Sequence, residues 1–124
     1  MTSARHRVLL ADDDPALRRL VGATLGSNDF ELLHAIDGEE ALRVAAEKHP
    51  ALVLLDVNMP RVDGFDVCRQ LKRDPATTDI KIVMLTARGA DVDRQRAREA
   101  GADDYFVKPF SPVQLLNRVY ALLG

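Results

Sequence analysis

Five polar residues stand directly after short apolar runs: Asp12 and Asp13 after Val8 to Ala11, Asp56 after Leu52 to Leu55, Thr86 after Ile82 to Leu85, and Lys108 after Tyr105 to Val107. Taken singly, each has an ordinary explanation. Acids ahead of a helix cap its free N–H groups and suit its first turn, and an aspartate followed by Asn58, Met59 and Pro60 fits a turn. Thr86 can simply end a strand, and Lys108 can be a solvated ammonium. Taken together they describe a different chemistry. Three carboxylates held close to one another repel and need a cation. Mg²⁺ meets that need, because it accepts one or two carboxylates, keeps several waters and leaves room for phosphate oxygens. Thr86 can then donate a hydrogen bond, and Lys108 can balance phosphoryl charge as a point cation.

The set works only if the fold gathers it. Five apolar runs, Val8 to Ala11, Phe30 to Ala35, Leu52 to Leu55, Ile82 to Leu85 and Tyr105 to Val107, alternate with segments of helical period. The third and fourth runs are apolar without alternation, as in parallel strands covered on both faces. Leu17, Leu20, Val21 and Leu25 form one helical stripe, Ala41, Leu42, Ala45 and Ala46 a second, and Phe65, Cys68 and Leu71 a third. The last helix carries Leu115, Leu116, Val119, Leu122 and Leu123. Asp14 with Pro15, the pair Asp37 and Glu40, and Ser111, Pro112 and Gln114 supply start signals. The fourth helix, near residues 91 to 100, has a thin apolar face of Ala97 and Ala100 among charges. These elements predict one α/β domain: a (βα)₅ doubly wound, five-stranded parallel sheet in three α/β/α layers. Ligands bind such sheets beyond the carboxyl ends of the strands, which is where the five polar residues fall.

The acidic pair Asp12-Asp13, the segment Asp56-x-Asn58-Met59-Pro60-x-x-Asp63-Gly64, the pair Thr86-Ala87, and Tyr105-x-x-Lys108-Pro109-Phe110 together resemble the response-regulator receiver family, in order and over essentially the whole chain. Receivers of winged-helix transcription regulators are the most similar in flavour. The resemblance implies a flavodoxin-like strand order of 2-1-3-4-5, the order shared by flavodoxin and the chemotaxis regulator of this family. It implies that Asp56 accepts a phosphoryl group from a sensor histidine kinase or phosphotransfer protein, giving an aspartyl phosphate in a two-component phosphorelay. By the same resemblance Asp13, Asp56 and the backbone carbonyl of Asn58 hold Mg²⁺, Asp12 assists through water, Thr86 and Lys108 bind the phosphoryl oxygens, and Thr86 and Tyr105 form the switch. The peptide before Pro109 is expected to be cis on the same ground. The resemblance further implies phosphorylation-dependent pairing of two copies through Arg94, Asp104 and Arg118, loosened because Gln114 replaces a frequent carboxylate. Lys81 departs from a proline common in the family, and Asn58 and Arg88 occupy positions that tune phosphoryl lifetime.

Such a domain is a signalling device that catalyses only its own phosphorylation and dephosphorylation. The rival enzyme, a haloacid-dehalogenase-like phosphatase, requires an acid two residues after the nucleophile, where this chain has Asn58. A scaffold receiver that is never phosphorylated would lack a site residue, and none is missing. A dinucleotide domain would place a glycine-rich loop after the first strand. At 124 residues, 47% hydrophobic and 29% charged, the composition fits one globular domain, residues 1 to 124. A net charge of −2 gives no basic field for direct nucleic-acid binding. Apolar runs this short neither cross a bilayer nor form a signal-peptide core, so a cytoplasmic location is expected. Cys68, the lone cysteine, reads as a small buried hydrophobe, and His6, His34 and His49 carry no ligand spacing.

Overall fold

The computed structural model describes residues 6–25, 30–57, 59, 63–86 and 91–123, with 91 and 92 described for their backbone alone. Ten elements alternate: β1 (His6–Ala11), α1 (Pro15–Leu25), β2 (Phe30–Ala35), α2 (Gly38–Lys48), β3 (Leu52–Asp56), α3 (Gly64–Arg73), β4 (Lys81–Thr86), α4 (Asp91–Glu99), β5 (Asp104–Val107) and α5 (Pro112–Leu123). All strand pairs are parallel and the sheet order is β2-β1-β3-β4-β5, as expected.

The period-two geometry of the strands divides the core into two layers. Leu9, Val53, Leu55, Ile82 and Met84 point to one face with Ala41 and Ala45 of α2, Phe65, Cys68 and Leu71 of α3, and Ala97 of α4. Val8, Leu10, Leu52, Leu54, Val83 and Leu85 point to the other with Leu17, Val21 and Leu25 of α1 and Leu115 and Val119 of α5. Every residue of β3 is buried, which explains why its sequence does not alternate.

Three of the start signals are in place. Asp14 Oδ1 accepts from the Ala16 amide at 2.9 Å, Asp37 Oδ1 from Glu40 at 2.8 Å, and Ser111 Oγ from Gln114 at 3.3 Å. The Glu40 carboxylate reaches back to the amide of Ile36 rather than that of Asp37, one residue beyond a capping box. Two stripe positions differ from expectation: Leu20 is 42% exposed and Ala46 is exposed. Both lie on the margin of their stripes, where coverage depends on how close the neighbouring helix comes.

Candidate functional site

Strand register alone brings the five residues together. Ala11 is opposite Leu55, so Asp12 and Asp56 are the next residues on adjacent central strands. Asp56 is opposite Leu85, which puts Thr86 one step further along β4, and Thr86 is opposite Val107, so that Lys108 follows on β5. The ladder runs on past the strands: the Asp12 amide donates to Ala35 O at 3.0 Å, Val57 to Leu85 O at 2.9 Å and Lys108 to Thr86 O at 2.6 Å.

Carboxylate oxygens of Asp12, Asp13 and Asp56 all lie within 4.8 Å of one another. Asp12 is fully buried, Asp56 is 4% exposed and Thr86 1%, whereas Asp13 faces solvent. Asp12 Oδ1 accepts from the Asp14 amide at 2.8 Å. Its other oxygen, Oδ2, lies 2.9 Å from Lys108 Nζ, which is also 3.4 Å from Asp56 Oδ1. Burial alone would push the Lys108 ammonium down, but the hydrogen bond to Asp12 and the charges of Asp56 and Asp12 outweigh it and hold the group above its ordinary value. The peptide between Lys108 and Pro109 is cis, as the resemblance implied.

This donor set fits a hard divalent cation. Its oxygens come from Asp56 at the end of β3 and from Asp12 and Asp13 directly after β1, one is solvent-facing, and the protein already places a cation of its own against two of them. Asn58, whose backbone carbonyl is the expected fourth donor, lies outside the described residues, as do Ala87 and Arg88.

The chain turns back from Asp56 over a glycine for a steric reason. A Cβ on Gly64 would come within 2.4 Å of Asp56 O and 2.8 Å of Val57 Cα, so any side chain there would displace the backbone that carries Asp56. The Gly64 amide donates to Val57 O at 3.1 Å. Asp63 caps α3 by accepting from the Phe65 amide at 2.8 Å. Sequence reasoning left this role unassigned, although an aspartate before an apolar helical stripe is the usual signal for it. Arg96, one of the charges of α4, pairs with Asp63 and lies over the Phe65 ring.

At the other end of the proposed switch, Tyr105 is half-buried beneath Arg94, whose Cζ is 5.4 Å from the ring centroid. Arg118 Nε lies 2.6 Å from Asp104 Oδ2 within the same chain. Cys68 is buried with Sγ 3.4 Å from Ala100 O, and burial raises its thiol to about 11, which leaves it inert as expected. His49 Nε2 is 3.0 Å from Asp79 Oδ1, in an exposed pair far from the carboxylates.

Comparison with known proteins agrees with this architecture. The profile of the response regulator receiver domain matches residues 8–120. A probable transcriptional regulator, ycf27, of Cyanophora paradoxa is 45% identical over 96% of this chain and 48% of its own length. The DNA-binding dual master transcriptional regulator RpaA of Synechocystis is 44% identical over 94% of this chain, again 48% of its own length. The chain thus spans about half the length of these relatives. Among solved structures, a response regulator from Chloroflexus aurantiacus superposes with a TM-score of 0.91 at 35% identity, covering 97% of this chain and 98% of that one. The receiver domain of a sensor histidine kinase from Pseudomonas aeruginosa, with a magnesium ion coordinated in its active-site cleft, gives 0.88 at 28% identity, covering 98% and 99%. This chain belongs to the response regulator receiver domain family.

Proposed function

We propose that residues 1–124 act as one receiver unit that takes a phosphoryl group on Asp56 from the phosphohistidine of a sensor histidine kinase or phosphotransfer protein, with Mg²⁺, in the cytoplasm, and changes shape to direct a downstream output. The observation that carries this reading is the buried pair Asp12 and Asp56 at the ends of the two central strands, bridged by the Lys108 ammonium. Buried like charges are costly, and a sheet that keeps them at its ligand-binding edge does so for a use.

Asp13, Asp56 and the carbonyl of Asn58 would hold the metal directly and Asp12 through water, and the ion would offset the charge that gathers on the transferring group. The Asp56 carboxylate attacks phosphorus, the new P–O bond forms as the P–N bond breaks, and the electron pair stays with the imidazole of the donor. Lys108 needs only to pass from Asp56 to the new phosphoryl oxygens, and Thr86, buried on the adjacent strand, offers its hydroxyl to another. Drawing Thr86 toward the phosphoryl group would free space into which Tyr105 turns. The unit is a signalling domain whose only chemistry is its own phosphorylation and dephosphorylation.

Pairing of two copies through Arg94, Asp104 and Arg118 remains part of this reading. Since Arg118 already contacts Asp104 within one chain, an isologous dimer would exchange the two pairs within the chains for two between them, at little net gain. A loose dimer follows. The relatives named for DNA binding support a transcriptional output for a longer protein, not nucleic-acid binding by these residues.

The test is an NMR titration with Mg²⁺ and beryllofluoride, which imitates the phosphoryl group on a carboxylate. Amides of residues 84–86 and 104–108 should shift together in the wild type and stay in place in Asp56→Asn. A full response in that variant would remove Asp56 from the mechanism.

A further inference from the structure

Among the described side chains of α4, contacts with the rest of the molecule are made by a small alanine and by arginines. The buried side chain among those described in α4 is Ala97, followed by Ala100, and neither is large enough to fix a helix by packing. Its longer contacts are made by arginines. Arg96 Nη2 lies 3.4 Å from Asp63 Oδ2, and the same guanidinium covers the Phe65 ring at 4.2 Å from its centroid. Phe65 itself is fully buried, so Arg96 closes the end of the core over it.

Both partners of Arg96 belong to the start of α3, and that start is built onto the backbone of Asp56. Asp63 holds the first turn of α3 through the Phe65 amide. Gly64, between them, hydrogen-bonds to Val57 O and leaves no room for a Cβ against Asp56 O. A shift of the Asp63–Phe65 turn is therefore felt at Asp56, and a shift of α4 is felt at that turn through one guanidinium. We propose that Arg96 is a positioning residue for the phosphoacceptor, tying α4 to the α3 turn that braces Asp56, along a path separate from Thr86 and Tyr105. The proposal rests on the reading of Asp56 as the phosphoacceptor.

The geometry fixes what each substitution does. Arg96→Gln removes both the ion pair and most of the cover over Phe65. Asp63→Asn keeps the cap, because the amide oxygen still accepts from Phe65, but loses the charge that Arg96 pairs with. Arg96→Lys retains the charge and loses the planar face on the ring. If Arg96 acts through Asp63, the double variant Asp63→Asn with Arg96→Gln is no worse than Arg96→Gln alone.

Hydrogen exchange of the metal-free protein reads the coupling without any phosphorylation. The Gly64 amide should exchange about threefold faster in Arg96→Gln, at the modest end of what one member of a contact network transmits. Asp63→Asn should do nearly the same, the double variant should add nothing further, and Arg96→Lys should restore part of the protection. Amides of β1 and β3 should be unchanged, which separates this effect from a general loss of stability. Apparent Mg²⁺ affinity, followed by NMR, should fall in Arg96→Gln by a similar factor. Acceleration confined to α4 with Gly64 unaltered would overturn the proposal and leave Arg96 as a fastener of α4. Faster Gly64 exchange with unchanged Mg²⁺ affinity would overturn it too. A wild-type protein that binds no Mg²⁺ would count against the receiver reading instead, while exchange at Gly64 still decides the mechanical link.

Discussion

The two ends of the sheet are both rich in charge, yet they hold it differently. At the N-terminal end, His6, Arg7, Glu31, His49, Asp79 and Lys81 line an open cavity of about 670 Å³. Their contacts lie in solvent: the ion pair of Arg7 with Glu31 at 3.3 Å and the hydrogen-bonded pair of His49 with Asp79 at 3.0 Å. At the C-terminal end the charges of Asp12, Asp13, Asp56 and Lys108 are partly buried and mostly of one sign, and one lysine holds two of them. Exposed pairs of opposite sign contribute little and ask for nothing. Buried like charges need a counter-ion, and that need sets the C-terminal end apart as the candidate site.

Breaking the comparison at its strong end gives the largest effects. Asp13→Ala removes the solvent-facing oxygen of the cluster and should weaken Mg²⁺ by at least the roughly 10- to 100-fold that loss of even an outer partner of a metal ligand costs. Its neighbour offers a built-in control: Asp14→Ala should cost about 1 kcal/mol of stability through the lost cap on Ala16 and leave Mg²⁺ affinity nearly unchanged. Calorimetric titration and thermal melts of the two variants separate the roles, and equal Mg²⁺ affinities would erase the distinction.

Lys108 sharpens the comparison through pH. Because its folded ammonium is held above the ordinary 10.5, its contribution is fully present below that value and is lost as pH rises through the raised one. Stability curves of wild type and Lys108→Gln should therefore run apart up to about pH 10.5 and converge above it. Mg²⁺ affinity should not fall in the variant, since a competing cation has been removed, while the response at Tyr105 should disappear. Parallel curves across the alkaline range would show that Lys108 does not hold the two carboxylates in solution.

The weak end should hardly respond. His49→Gln or Asp79→Asn should change stability by no more than about 0.5 kcal/mol and leave the Mg²⁺ titration as in the wild type. A large loss in either would mean that the cavity at the N-terminal end of the sheet carries more of the fold's stability than exposed pairs supply.

Much of this was legible in the residues. Apolar runs without alternation announced central parallel strands, and the burial of every residue of β3 is the physical reason. The positions after those runs come together at one edge, because a parallel register leaves them side by side. The strand order and the cis peptide before Pro109 came from family resemblance, as neither follows from local propensity. Leu20 and Ala46 were misplaced because a helical period marks a stripe but not its edges, which neighbouring helices cover or leave bare. The Arg96 contact with Asp63 and Phe65 was invisible for a related reason: a long side chain reaches partners more than thirty residues away whose spacing carries no period.

One measurement bears on the central claim most directly. Incubated with acetyl phosphate and Mg²⁺, the wild-type chain should gain roughly 80 Da, the mass of one phosphoryl group, and lose the gain when Mg²⁺ is chelated. Asp56→Asn should gain nothing under the same conditions. Equal labelling of that variant, or labelling that persists without the metal, would contradict an account in which the buried end of the sheet exists to place a phosphoryl group on Asp56.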